Sequence, residues 1–189
     1  TYAAMKLVGG QRIDLDNTTI NFTGTGPTGT NAYHKWLFHT DGHNDFEQST
    51  WVIGNRSTIN VSGDHLVMYT SQYHGSSPGK NVGFVNKGTI NLNNGSGNVG
   101  IYALDVENAT NNIMGTNHYE ILGENTTRGT INVAGTNVGM MAQDKSGTTA
   151  TNFESFIQNS GKINVIGASS IGMYTKDKYS KAKQLAGTI

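Results

Sequence analysis

One short phrase recurs along this 189-residue chain. It consists of Thr or Lys, then Ile, Asn and an apolar residue, and it occupies residues 19–22, 58–61, 89–92, 130–133 and 162–165. Repetition at such intervals is typical of solenoids, in which each unit buries its apolar side only by stacking on its neighbours. The phrase therefore predicts one strand per unit, stacked on the equivalent strands of the other units.

Two further segments accompany the phrase. A companion apolar segment follows it at residues 66–70, 99–103, 138–142 and 171–175, and a looser apolar cluster followed by Asn and Gly precedes it at residues 51–53, 84–85, 121–122 and 156–157. One unit thus contains three short strands. The sequence predicts an all-β fold, a right-handed parallel β-helix with three short strands per coil, as a single segment of about five coils over residues 1–189.

Composition and charge exclude several classes of protein. The chain has 25 Gly and only 2 Pro, and no window carries a convincing helical pattern, so a helical domain is not expected. Its 13 basic and 13 acidic residues cancel without forming a run, which disfavours nucleic acid and anionic membranes as partners. No apolar run is long enough to cross a bilayer, so we expect no direct membrane insertion by this segment.

Alternation along each strand assigns residues to the interior and the surface. The phrase predicts two internal ladders, formed by Ile59, Ile90, Ile131 and Ile163 and by Val61, Leu92, Val133 and Val165. It places Asn60, Asn91, Asn132 and Asn164 in a row outside. In the companion segment, the same alternation places Val99, Ile101 and Ala103 inside and Gly100 and Tyr102 outside. The positions equivalent to Tyr102 in the other units then form a predicted external stripe of Tyr69, Tyr102, Met141 and Tyr174.

The external stripe has two interpretations. Aromatic side chains exposed in a row can stack on sugars or anchor a protein partner. Insertions between the strands could instead cover them. The sequence places these insertions at residues 71–81, 105–118, 143–151 and 176–183, where polar loops would project from one edge of the rod.

The longest predicted insertion, residues 24–49, holds the densest group of polar and aromatic residues. Its candidate partner-binding residues are Tyr33, His34, Trp36, His39, Asp41, His43 and Asp45. The four alternating His and Asp residues would share one side of a strand, which suits a metal or a sugar. The other interpretation is a small local core around Trp36, with His and Asp satisfying the backbone of turns.

The phrase Gly-Thr-Ile-Asn-Val, the companion Val/Ile-Gly-Met-Tyr/Met and the Asn-x-Gly before the next strand together resemble the passenger repeats of large Gram-negative autotransporter adhesins, especially the fusobacterial ones. The match is best at residues 129–143 and 161–175. The resemblance implies a secreted passenger on the outer membrane at the cell surface, delivered by a C-terminal translocator barrel that is not in this chain. It implies attachment to a host-cell or bacterial surface receptor, protein or glycan, without a cofactor, and it carries no binding residue over by position.

The sequence contains no nucleophile, phosphate-loop or calcium-repeat motif, so we expect no enzymatic activity and no bound metal. Asp105 and Glu107 are neighbours, but no acidic residue is expected at the equivalent strand positions of adjoining coils. Two alternatives to adhesion stay open. One is a carbohydrate-active β-helix enzyme, a polysaccharide lyase or phage-type depolymerase, and the other is a purely structural spacer. Because the chain stops two residues into a new phrase, we expect it to belong to a longer array.

Overall fold

The computed structural model describes residues 3–8, 12–28, 35–42, 50–73, 82–105, 119–144, 153–177 and 180–189. Every regular element in these ranges is a strand, so within them the fold is all-β, as predicted. No helix in the described ranges is long and apolar enough to cross a membrane.

The strands form three sheets. Sheet A contains β1 (Ala3–Val8), β4 (Lys35–Gly42), β7 (Leu66–Tyr73), β10 (Ser96–Asp105), β13 (Thr136–Asp144) and β16 (Ile171–Lys176). Sheet B contains β2 (Arg12–Leu15), β5 (Thr50–Ile53), β8 (Val82–Asn86), β11 (Tyr119–Asn125), β14 (Phe153–Asn159) and β17 (Ser180–Gln184). Sheet C contains β3 (Thr19–Thr25), β6 (Thr58–Asp64), β9 (Thr89–Leu92), β12 (Thr130–Val133) and β15 (Lys162–Val165).

The chain visits sheets A, B and C in turn, and one such passage is called a layer below. Strands of successive layers are neighbours in each sheet, and all pairs are parallel. Five layers are complete, and a sixth contains β16, β17 and a bridge between Thr188 and Lys162. Three strands per unit are thus confirmed, and stacked parallel sheets without a helix are consistent with a solenoid.

The repeated phrase forms sheet C with no slip in register. Ile59, Ile90, Ile131 and Ile163 are direct partners in successive strands, and all four are buried. This confirms the first predicted ladder. The second ladder is buried at its first three positions, whereas Val165 is 41% exposed because sheet C ends at β15.

The Asn residues of the phrase form an outer amide ladder on sheet C. Each Nδ2 donates to the Oδ1 of the preceding layer, from Asn60 to Asn21 at 2.9 Å, Asn91 to Asn60 at 2.8 Å, Asn132 to Asn91 at 2.7 Å and Asn164 to Asn132 at 2.6 Å. The predicted row is confirmed and begins one layer earlier, at Asn21. Parallel, in-register stacking brings identical amides within hydrogen-bond distance, which explains why the same residue recurs.

A second, buried amide column runs along the end of sheet B. Asn86 Nδ2 donates to Asn125 Oδ1 at 2.8 Å, Asn125 Nδ2 to Asn159 Oδ1 at 2.7 Å, and Asn159 Nδ2 to Gln184 Oε1 at 2.9 Å. The three Asn residues are fully buried. Buried amides are stable only when their donors and acceptors are satisfied, and here each layer satisfies the next. We call these four residues the inner amide column.

The companion strands of sheet A do not alternate as predicted. Ile101 and Ala103 belong to the main core, as expected, but Val99 packs in a second apolar cluster outside it. Gly100 points inwards, because a Cβ there would lie 3.7 Å from Cδ1 of Leu92 in sheet C. Two successive positions therefore face the core, and this break in the period of two makes the predictions for Val99 and Gly100 wrong.

Residues 24–49 are not a single insertion, because they contain the sheet A strand β4. In β4, Trp36 pairs with Val67 and Phe38 with Tyr69 of β7. Both Leu37 and Phe38 lie in the main core. The prediction of a separate local core is therefore wrong for Leu37 and Phe38, which belong to the core of the repeat. Trp36 itself packs in the second apolar cluster, with Val67, Val99 and Tyr102.

The last predicted loop, residues 176–183, also needs correction. Its second half forms β17, which pairs with β14 of sheet B through Ala182 and Ile157 among others. The sequence of β17 is polar, and its exposed side chains give no alternation from which a strand could be predicted.

Large and small core residues complement one another between layers. Tyr69 and Phe84 stack in the third layer with ring centroids 4.7 Å apart. In the fourth layer, Ile101 pairs with Tyr69 and Gly123 pairs with Phe84. The core thus changes from two aromatic rings to an isoleucine and a glycine, and the total volume stays compatible with close packing.

We expect Gly123→Ala to lower the free energy of unfolding by about 1–3 kcal/mol through overpacking. The new Cβ would lie 2.4 Å from Cγ2 of Ile101, which is fully buried and cannot move away cheaply. Urea denaturation of wild type and variant measures the loss. Ile101→Leu removes the β-branched methyl group, so it should recover part of the loss when combined with Gly123→Ala. A stabilised Gly123→Ala variant, or no recovery, would contradict this packing.

Candidate functional site

The connections from sheet A to sheet B vary most in length. They span residues 9–11, 43–49, 74–81, 106–118, 145–152 and 177–179. The connections from sheet B to sheet C are short, at residues 16–18, 54–57, 87–88, 126–129 and 160–161. Those from sheet C to sheet A are also short, except residues 26–34. Strands of sheet A stack in order, so all six connections from sheet A to sheet B start from the same edge of sheet A. This agrees with the prediction that the loops project from a single edge.

The predicted partner-binding residues of the first segment are divided by the structure. Trp36 and His39 are buried on β4, with their rings stacked 4.5 Å apart. Asp41 pairs through its backbone with Val8 and Gln72. Tyr33, His34, His43 and Asp45 lie outside the described residues. The predicted set of four alternating His and Asp ligands is therefore described only at His39 and at the backbone of Asp41, and partner binding by these residues stays a prediction.

The predicted external stripe is wrong at Tyr69 and is covered at Tyr102. Tyr69 lies in the main core, because it pairs with Ile101 rather than with Tyr102. Tyr102 is buried in an outer apolar cluster of sheet A, which it forms with Trp36, Val67 and Val99. Tyr174 is 40% exposed and is the one predicted tyrosine of the stripe that the structure leaves at the surface. The interpretation in which the stripe is covered fits Tyr102.

Tyr102 is held by a specific contact within this cluster. Its hydroxyl donates a hydrogen bond to Oε1 of Gln143, which is itself buried. Burial raises the pKa of the Tyr102 phenol well above its usual range, and the negative charge of Asp177 raises it further. The phenol therefore stays neutral and acts as a hydrogen-bond donor, not as a proton-transfer group at neutral pH.

Tyr102 should make the fold sensitive to high pH. A pKa raised in the folded state gives stability that is complete below the ordinary tyrosine pKa of about 10 and is lost as the pH rises above it. We expect the free energy of unfolding to fall more steeply between about pH 10 and 12 in wild type than in Tyr102→Phe. Urea denaturation at several pH values measures both slopes. Identical slopes would show that Tyr102 ionises equally easily in the folded and unfolded chain.

Two aspartates occupy equivalent backbone positions at the end of sheet A, contrary to expectation. Asp105 of β10 pairs through its backbone with Asp144 of β13. In the next layer, Lys176 of β16 pairs with Gln143 of β13, and Asp177 directly follows Lys176. The expectation that no acidic residue occupies the position equivalent to Asp105 in an adjoining coil is therefore wrong. Among the described residues, no group of three His, Cys, Asp or Glu side chains is arranged to hold a metal ion.

A basic column that sequence reasoning missed lies beside sheet C. It consists of Arg56, Lys87 and Arg128, which stand two residues before Thr58, Thr89 and Thr130, and of Lys162, which pairs with Thr130. These residues are 31 to 41 positions apart in sequence, so no basic run is visible. Aligning the units, including the two residues that precede each phrase, reveals all four.

The basic column is largely unneutralised. The Arg56 guanidinium pairs with Asp16 and keeps the pKa of that carboxyl below its usual value, chiefly through their hydrogen bonds. Lys87, Arg128 and Lys162 make no ion pair with any residue in the described ranges. Asp14 is close enough to Lys87 for their charges to attract: the pKa of the Asp14 carboxyl is lowered chiefly by its hydrogen bonds from Arg12, and the charge of Lys87 contributes. Arg128 and Lys162 are exposed, and Lys87 is half-buried.

Comparison of the chain with protein-family models, with curated proteins and with solved structures returned no match.

Proposed function

We propose that this chain is a segment of an autotransporter adhesin passenger, in which a right-handed parallel β-helix carries loops that attach to host cells or partner bacteria. One observation carries the proposal: connections of very different length and composition all join sheet A to sheet B, while the repeated phrase in sheet C keeps its register from layer to layer. A rigid repeat that presents variable segments at one edge is how many binding proteins separate support from recognition. The resemblance of the repeated phrases to such passengers gives the direction of the proposal.

The arrangement suits display at a distance from a cell. Five complete layers at about 4.8 Å each give a rod on the order of 25 Å, and further layers of the same kind lengthen it without changing its cross-section. The outer amide ladder repeats the same contacts from the first layer to the fifth and the isoleucine ladder from the second to the fifth, and the inner amide column does so from the third to the sixth. Stability then grows with the number of layers, whereas the connecting segments can change freely.

Attachment assays with the 189-residue chain test this proposal. The chain, coupled to beads, should bind epithelial cells or partner bacteria, and replacing residues 106–118 or 74–81 with a short Asn-Gly turn should reduce binding. A matched control replaces residues 126–129 with Lys-Gly, which gives this corner the length and sequence of the corner at residues 87–88. This replacement changes the opposite edge of sheet B. No attachment by the intact chain would overturn the proposal, and attachment unaffected by any of the edge replacements would leave the rod as a spacer.

A polysaccharide-cleaving enzyme is the second candidate, because Asp105 and Asp144 are adjacent in register. Paired carboxylates are the usual acid and base of glycan-cleaving enzymes. If this candidate is correct, incubation with acidic polysaccharides releases new reducing ends or unsaturated uronates, and Asp105→Asn abolishes the release. The adhesin proposal expects no turnover with either protein.

A further inference from the structure

The outer side of sheet C differs from the rest of the described surface in its regularity. Within the repeated phrase, its outward residues are Thr19, Thr58, Thr89, Thr130 and Lys162 in one row and Asn21, Asn60, Asn91, Asn132 and Asn164 in the next, and we call them the polar face. From the second layer to the fifth, the corners on both sides of this face are short and fully described. In these layers, no long connection begins or ends at sheet C.

The polar face keeps hydrogen-bonding capacity for a partner. Each of the three middle amides of the outer ladder, Asn60, Asn91 and Asn132, uses one N–H and its oxygen for neighbouring Asn residues, and an amide has a second N–H donor. The half-buried hydroxyls of Thr58, Thr89 and Thr130 stand beside them, one per layer. The face thus offers a donor and a hydroxyl at every step of about 4.8 Å along the rod.

Three residues of the basic column, Arg56, Lys87 and Arg128, border this polar face along one side, and the fourth, Lys162, lies within its Thr row. Backbone hydrogen bonds from Thr89 N to Ser57 O, at 3.0 Å, and from Thr130 N to Gly88 O, at 2.8 Å, stack the corners that carry Arg56, Lys87 and Arg128. Four cationic residues therefore occur in four successive layers, over about 14 Å from the second layer to the fifth. Asp16, at the end next to the first layer, is the acidic residue that pairs with this column.

We infer that the basic column and the polar face together bind a linear acidic glycan that lies along the rod axis. The face is about 13 Å wide and 20 Å long, a few hundred Å², which is less than a stable protein–protein interface buries and enough for one extended polymer chain. Cations attract the carboxylate or sulfate groups, and the amides and hydroxyls suit the sugar hydroxyls between them.

A glycan fits this surface better than a nucleic acid does. Single-stranded nucleic acids are usually held by aromatic side chains on which their bases stack. The outward positions of the polar face, all of them described, carry Thr, Asn and one Lys and no aromatic residue. This inference does not depend on the proposed function, since it concerns the corner between sheets B and C rather than the connections from sheet A to sheet B.

Binding to an immobilised heparin oligosaccharide tests the inference with the 189-residue chain. We expect measurable binding that weakens as salt rises from about 0.05 to 0.2 M, and no binding to a neutral glucan of equal length. The triple variant Lys87→Gln, Arg128→Gln and Lys162→Gln should lose at least about tenfold in affinity and most of the salt dependence. Its matched control, Lys6→Gln, Lys35→Gln and Lys176→Gln, removes the same charge from sheet A and should retain affinity within about twofold.

A second variant tests the polar face without changing charge. Thr89→Val and Thr130→Val keep the β-branched shape and remove two hydroxyls, so together they should weaken heparin binding about three- to tenfold and leave the salt dependence unchanged. Circular dichroism and thermal melting check that every variant is folded. Equal losses in the basic-column triple variant and its control would overturn the site.

Competition identifies the class of partner. A single-stranded oligonucleotide of the same charge, or vesicles rich in anionic lipid, should displace the heparin oligosaccharide much less effectively than free heparin does. If either competes equally well, the column binds polyanions in general or membranes, and the assignment to a glycan is wrong. Absence of heparin binding by the intact chain would also overturn it, while leaving the cell-attachment assays unaffected.

Discussion

Asn125→Ala is expected to lower the free energy of unfolding by about 3–5 kcal/mol. Asn125 is the middle link of the inner amide column, where it accepts from Asn86 and donates to Asn159. Removing the amide leaves the Nδ2 of Asn86 and the Oδ1 of Asn159 buried with fewer partners, and each unsatisfied buried group costs about 1–3 kcal/mol. The loss of the side chain also leaves a cavity near Gly129, whose carbonyl accepts from Asn125 at 3.3 Å.

Asn132→Ala is the matched control for that substitution. Asn132 lies seven positions further on, in the same layer, and makes the same kind of chain with Asn91 and Asn164. It is half-buried, so water can satisfy the neighbouring amides, and we expect a loss of about 1 kcal/mol or less. Urea denaturation of the two variants gives the comparison. Equal losses would mean that the inner column is hydrated, which would contradict its burial.

The comparison of these two Asn rows also shows what could be predicted from the sequence. The outer row was predicted because each Asn sits between two buried residues of a strictly alternating phrase, so its direction follows from the period of two. Asn86, Asn125 and Asn159 were recognised only as part of an Asn-x-Gly pattern before a strand. Their direction depends on how the corner turns, and alternation along a strand does not determine that.

The companion strands show a second limit. Val-Gly-Ile-Tyr at residues 99–102 and Leu-Val-Met-Tyr at residues 66–69 look equivalent when their tyrosines are aligned, but the structure pairs Val67 with Val99 and therefore Tyr69 with Ile101. A shift of one residue moves Tyr69 from the surface to the core. Register here is set by contacts with sheets B and C, such as the stacking of Tyr69 on Phe84, and these contacts are not visible in a single repeat.

Strand β4 was missed for a related reason. Its residues Trp36-Leu37-Phe38 share no motif with the later companion segments, because bulky side chains in the second layer fill the space that glycine and isoleucine fill in the fourth. The basic column was missed because its members are neighbours only through the repeat. A position-by-position alignment of units finds such columns, whereas a search for charge runs along the chain does not.

Ile131→Ala should lower the free energy of unfolding by about 3–4 kcal/mol, which would demonstrate that stacking along the rod holds the layers together. Ile131 is fully buried between its register partners Ile90 and Ile163. Truncation removes three carbon atoms and leaves a cavity that backbone hydrogen bonds above and below prevent from closing. Two further alanine variants serve as controls. Thr130→Ala, on the outer side of the same strand, should lower the free energy of unfolding by less than about 1 kcal/mol. Ile20→Ala, in the first layer, should lower it less than Ile131→Ala does, because Ile20 is only partly buried. Urea denaturation ranks the three, and if the loss at Ile131 were no larger than at Thr130, the isoleucine ladder would not be what stabilises the repeat.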